Sequence, residues 1–439
     1  MQLATLVNND LNQLPYTDRR YYRYFSIVPW ENLGTLPTPV TADWQRAAII
    51  KMVNFLSTGP SIVQPTPIDT GRFIYRVDMR QLKWTSAAWN NIKNTDPYLV
   101  PANFPTNLAN AAQQTVRADW FVTNIPNSAV NAYFIFLGIN SDDPTIDHMN
   151  GVDRFGDMAK GYPATVREGV MVSNTEAHNR ILSWHATTGL GSGPAGTGHL
   201  FKSYNFDSDT GTSDIFSHPY EPMENNPDPN GQFNFEFADS DNIFSLPNGL
   251  NGYYTTIGDP ATPGVVQTAA NAGAFPGPTF CFQCHDTVTN MIVFQDNIHD
   301  ALLAEPFSVF PANVKNLLVG MYNQEGFQAE QAAAGARFAK AYAQLNLPVA
   351  ERVGMYTESS NVVNNHYSVS LTTYQAAAEL GTTVADLIAK IKSSSRMALA
   401  LGSLLPVDSN GNPIGGVRRD LWEANYVAVR ALVFPGTFH

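Results

Sequence analysis

Charge is scarce in this sequence: Asp, Glu, Lys and Arg together reach 15% of 439 residues, against roughly 25% in an ordinary soluble domain. Solubility therefore leans on the plentiful Asn, Gln, Ser and Thr and on a formal charge of −12. Basic residues are the rarer sign, 26 against 38 acidic, which argues against nucleic-acid binding, since phosphates need clustered Lys and Arg. The surplus is the mark of a solvated acidic surface, and it also suits steering toward a basic partner. Long apolar runs are missing too. "IIKMVNFL" and "LLVGMY" fall short of the roughly 18 residues of a membrane span. The opening "MQLATLVNNDLNQLPYTDRR" lacks the basic-then-apolar build of a secretory signal. The expectation is a cytoplasmic chain or one whose export segment lies outside this numbering. Cysteine is rarest of all, with two residues.

What is present is ample for a core: 44% hydrophobic and 11% aromatic residues, in a length suited to two or three domains or one large one. Residues 1–126 read as mixed and mainly helical. "TADWQRAAIIKMVNFLS" (41–57) has Thr41 as an N-cap and apolar residues at helical spacing. "GRFIYRVDMRQLKW" (71–84) reads as a strand and "RADWFVTNIP" (117–126) as a short helix ended by Pro126. Residues 127–275 form a loop-rich, β-containing part, where Gly, Pro, Asn and Asp punctuate short aromatic segments. Residues 276–439 return to helix, with periodic Ala-rich stretches at 329–345, 373–393 and 418–433. The expected class is α+β, in three parts or one integrated domain.

Both cysteines fall in "TFCFQCHDTVTN" (279–290), as Cys281 and Cys284, with His285 directly behind them. C-x-x-C-H is the attachment pattern of c-type haem. Thiols three residues apart reach two vinyl groups on neighbouring edges of a porphyrin, and the adjacent imidazole is held beneath the ring to ligate iron. This composition yields about 0.0002 such motifs by chance. A thioredoxin-like dithiol is the weaker alternative, because no βαβ frame surrounds the pair. Half a zinc site is another, though it would need two histidines to complete it. Covalent attachment takes place outside the cytoplasmic membrane, so the motif implies a periplasmic or extracellular chain.

A six-coordinate haem needs a second ligand on its other side. Met291 and His299 follow His285 too closely to round the porphyrin. His148, His178, His185, His199, His218, His366, Met158 and Met321 are far enough away. For any single one of these, a satisfied or surface side chain is the default.

Several stretches recur in a common order: "LPYTDRRYYRYFSI" (14–27), "IDTGRFIYRVDMRQLKW" (68–84), "REGVMVSNTEAHNRILSWH" (167–185), "LFKSYNFDSDTG" (200–211), "IFSLPNGLNGYY" (243–254), "CFQCHD" (281–286) and "VRRDLWEANY" (417–426). In these the chain resembles the large secreted c-type cytochrome domains of planctomycetes and some proteobacteria, a family assigned only a general haem-bearing, redox role. The resemblance implies haem attachment at Cys281 and Cys284 and ligation by His285. It also implies, through the pattern on Asn179, Arg180 and His185, that His185 is the second ligand with Arg180 beside it in the haem site. His178 and His199 fall where the family carries other residues. Where members read His-Asp-Gly-Gly-Glu before the LPNG stretch, this chain has "ADSDN" (238–242), which weakens the correspondence there.

Weaker patterns complete the reading. "LPNGL" (246–250) is a tight turn, with Pro247 fixing φ and Gly249 free for positive φ; it is a candidate wall of a haem pocket or a plain hairpin turn. "GSGPAG" (191–196) lacks the strand and helix of a nucleotide loop. Asp207, Asp209 and Asp214 alternate as in a calcium loop, but the glycine is misplaced and the closing Glu absent, so an ordinary turn is favoured over calcium. Arg72, Arg76 and Arg80 would share one face of a strand, where one of them could pair with a haem propionate. The expected function is single-electron transfer by an exported monohaem cytochrome with a redox partner. A domain of about 100 residues is enough for one haem, and the surplus leaves two alternatives. One is a haem enzyme or sensor with an open distal site served by His185 and Arg180. The other is a haem-bearing subunit of a larger assembly, with "DRRYYRYF" (18–25) as a contact.

Overall fold

In a computed structural model the residues described are 2–33, 41–127, 132–139, 142–170, 179–192, 198–206, 238–258, 265–266, 281–282, 285, 298–304, 312–351 and 358–435. Helices and three sheets give an α+β architecture. No helix among these residues is long and apolar enough to cross a membrane.

The chain divides into two compact units, and neither is continuous in sequence. One comprises 1–53, 63–132 and 347–439; the other comprises 54–62 and 133–346. Boundaries at 126 and 275 therefore do not describe the packing. The physical reason lies in Gln324–Ala343, a helix of the C-terminal stretch whose Phe327 and Ala334 pack on the sheet of the middle stretch.

In the first unit a short sheet runs in the order β2 (Thr66–Pro67), β3 (Ile74–Asp78), β1 (Tyr22–Ser26), β4 (Thr115–Arg117), with β1 antiparallel to β3 and parallel to β4. Phe25 of β1 meets Phe121 edge-on at 4.9 Å and Trp89 at 6.1 Å between ring centroids. The expected helix at 41–57 is Ala42–Phe55, and the one at 117–126 is Ala118–Asn127. The stretch 373–393 is two helices, Thr373–Leu380 and Val384–Lys392, because Gly381 takes a φ of 72° and closes the first. The strand expected over 71–84 holds only for Ile74–Asp78, after which Asp78 caps a helical turn, Met79–Leu82. Arg72, Arg76 and Arg80 consequently do not share a strand face. Arg72 sits in the turn before β3 with φ 56°. Arg76 binds Asp10 at 2.8 Å, and Arg80 binds Asp78 at 2.6 Å.

The second unit is built on six antiparallel strands in sequential order: β5 (Thr165–Val170), β6 (Asn179–Thr187), β7 (Gly198–Phe206), β8 (Asp239–Ser245), β9 (Asn251–Ile257) and β10 (Val265–Val266). Neighbouring side chains alternate between faces. The first face carries Val166, Leu182, Trp184 and Phe201 against Phe327 and Ala334. The second carries Ile181, Tyr204 and Phe206 against Met158, Ile298, Leu302, Leu318 and Met321. "LPNGL" is the β8–β9 hairpin: Leu246 N–H donates to Leu250 O at 2.8 Å and Gly249 has φ 92°.

A buried ionic cluster ties the first unit together. Glu379 accepts from Arg117 at 3.0 Å, from Arg419 at 2.8 Å and from Trp422 Nε1 at 3.0 Å. Burial alone would raise its pKa, but the two guanidiniums outweigh burial and hold it at about 2, below the ordinary 4.5. A depressed carboxylate stabilises the fold above its unfolded pKa and loses that contribution as pH falls through the folded one. We expect wild-type stability to drop by an amount on the order of 3 kcal/mol between pH 4.5 and 2 on account of this group. Glu379→Gln should be less stable at pH 7 by about 3–5 kcal/mol and show a flatter acid limb, read by urea denaturation across that range.

Candidate functional site

Cys281, Phe282 and His285 all have helical backbone. Cys284 lies outside the described residues. The Phe282 side chain is buried, its ring 4.7 Å from Phe55 and 5.7 Å from Tyr253. Tyr253 of β9 also lays its ring 6.1 Å from the His285 imidazole, and its hydroxyl donates to the His285 carbonyl at 2.8 Å. The Tyr253 backbone N–H in turn donates to Tyr133 Oη at 2.9 Å. Burial raises the pKa of both tyrosines, and the Cys281 thiol raises each further.

The sheet register fixes which face this is. Tyr253 stands opposite Ile243, Ile243 opposite Phe201, and Phe201 opposite Trp184. Cys281, Phe282 and His285 are therefore on the first face, with the helix Gln324–Ala343. His185 belongs to the next row, with Thr165, Leu200 and Phe244, and points to the second face. There its Nδ1 lies 3.2 Å from Asp157, and burial lowers its pKa more than Asp157 raises it, with Arg167 and Arg154 adding to the fall. Its assignment as a ligand opposite His285 is corrected on this ground: the sheet stands between the two imidazoles. Arg180 does not join it either. Five residues apart on an unbulged strand, the two side chains face opposite ways, and Arg180 lies 3.9 Å from Asp241 on the first face.

The other candidates separate by the same test. Met158 and Met321 are core residues of the second face. His148 is exposed on Asp143–Asn150, His299 follows the second-face residue Ile298, and His366 belongs to the other unit. His178, His218, Met291 and the acidic stretch 207–214 lie outside the described residues, as do 193–196 of "GSGPAG". No cluster of metal-ligating side chains occurs among the described residues.

His199 of β7 is on the first face, opposite Ser245, which is opposite Asn251. It is 4% exposed, and its Nδ1 meets Ser245 Oγ at 2.9 Å. Its Nε2 is shut away from solvent, as are both amide atoms of Asn251, whose side chain hydrogen-bonds the His199 ring. Burial pushes its pKa down to about 3, with the Arg337 charge adding to the fall and Asn251 opposing it. Arg337 donates through Nη2 to the carbonyls of Gly191 and Leu246, while its buried Nε and Nη1 are unpartnered among the described residues. Sequence reasoning missed Tyr133, Tyr253 and Arg337. The one available signal was the period-two aromatic spacing around "GYYTTI", which marks a strand but not the face that each tyrosine takes.

Compared with known protein families, with curated proteins and with solved structures, the chain matches none.

Tyr253→Phe removes the donor to the His285 carbonyl and the hydroxyl's contact with Asn251. We expect a loss of about 1 kcal/mol in unfolding free energy, measured by urea titration, and unchanged stability would show that the bond does not hold this segment.

Proposed function

We propose that this chain is an exported monohaem c-type cytochrome that exchanges single electrons with a redox partner. The observation that carries the reading is the pattern Cys281–Cys284–His285 in a chain with no other cysteine, with the His285 imidazole beside the Tyr253 ring. The residues present fit the group. Cys281 and Cys284 would form the thioethers and His285 would ligate iron. Phe55, Phe282 and Tyr253 supply aromatic, mostly apolar surface of the kind a porphyrin packs against.

Haem, when bound, supplies one-electron exchange at its iron, and the protein's part is binding, orientation and electrostatics. Tyr253 fixes the backbone of His285 through its 2.8 Å bond, so the imidazole keeps one orientation through successive cycles. Phe282, ringed by Phe55 and Tyr253, is buried and would set one apolar wall beside the group, Cys281 and His285 being half-buried. Burial of this kind disfavours the extra positive charge of the ferric state and raises the reduction potential. Maturation outside the cytoplasmic membrane puts the working protein in the periplasm or beyond.

Expression behind an export signal, in a bacterium able to mature cytochromes c, tests this directly. The denatured, purified chain should retain haem through electrophoresis and give the pyridine haemochrome of a two-thioether haem. Cys281→Ala with Cys284→Ala should lose it. A folded wild-type chain without covalent haem would sink the reading.

A further inference from the structure

We propose that a cavity in the first unit binds a small organic anion, a monocarboxylate with an apolar body, through Arg430; the inference is independent of the haem reading. The cavity has a volume of about 580 Å³ and is partly open to solvent, which is room for a ligand of small-molecule size. All of its lining residues belong to that one unit. Tyr98, Leu99, Arg117 and Glu379 are the buried part of the lining, while Val28 and Phe434 are half-buried.

The walls suit an apolar body. Val28, Leu99, Leu380 and Phe434 line the space with hydrocarbon. Tyr98 and Tyr426 also line it and meet edge-on at 4.6 Å between ring centroids. Covering this surface with a ligand's carbon chain removes apolar area from water on both sides. It also strengthens any charge pairing formed beside it, because water is displaced.

Charge decides the sign of the ligand. The charged side chains of the lining are Arg117, Glu379 and Arg430. Arg117 gives Nε and Nη2 to Asp119 and Nη1 to Glu379. Glu379 accepts in addition from Arg419 and Trp422. In that cluster the guanidiniums of Arg117 and Arg419 balance the carboxylates of Asp119 and Glu379. Arg430, in the last turn of the helix Arg419–Val433, adds a positive charge beyond this balance and hydrogen-bonds the Tyr426 hydroxyl. The field at that hydroxyl agrees. Burial raises the Tyr426 pKa, the Arg430 and Arg117 charges both pull it down, and Glu379 opposes them after these two. A carboxylate entering the cavity therefore meets attraction and a planar fork of donors, whereas an ammonium of the same size meets repulsion.

The probe is octanoate, with octylamine as the control of equal chain length and opposite charge, titrated calorimetrically into the full chain as purified. Octanoate should bind at one site, more weakly as salt is added, and octylamine should not. Arg430→Gln should weaken octanoate about tenfold or more, the effect of losing a hydrogen bond to a charged group. Val28→Trp, which sets an indole into the space from a half-buried position on another helix, Val28–Leu33, should abolish binding and keep the unfolding midpoint. That variant keeps the test open should Arg430→Gln not fold. Absence of octanoate binding by folded wild type, equal binding of octylamine, or unchanged octanoate affinity in either folded variant overturns the proposal.

Discussion

Burial of both faces of the six-stranded sheet is the constraint on which the second unit depends. Every residue of β7, from Gly198 to Phe206, is buried, so no polar side chain on it can escape to water, and each must find a partner on the face where its parity sends it. On the second face they do. Lys202 is paired with Asp143, which also accepts from Tyr254 Oη at 2.7 Å. Arg154 meets Asp147 at 2.5 Å and Tyr204 Oη at 3.1 Å. Charge is neutralised within the fold. On the first face Arg337 donates to the carbonyls of Gly191 and Leu246, and His199 meets Ser245 through Nδ1 and hydrogen-bonds Asn251.

What was legible in the sequence follows from how local its cause is. Helices whose signal lies within a few residues were read well: Ala42–Phe55 from its apolar spacing, and Arg419–Val433 from its Trp422, Tyr426 and Val429 stripe. The hairpin at 246–250 was legible because Pro247 and Gly249 dictate backbone angles by themselves. The Cys281–Cys284–His285 pattern stood out because the two cysteines of the whole chain fall three residues apart with a histidine directly behind them. The sheet was harder. Alternation of apolar and polar residues marks a strand with one wet face, and strands buried on both sides, bearing Lys202, Asn205 and Asn242 inward, do not show it. They read as loop because their polar residues are matched by distant partners that no window of the sequence contains.

The placement of His185 and His199 on opposite faces shows the same limit more sharply. Both are histidines on strands, both are buried, and both have burial-lowered pKa values. Only the register separates them. A shift of one residue along a strand reverses its face, and His199 pairs with Ala186, next to His185, across the β6–β7 ladder. Recurrence of a pattern can mark a residue as required without saying for what, and the His185–Asp157 contact gives that residue a structural role of its own.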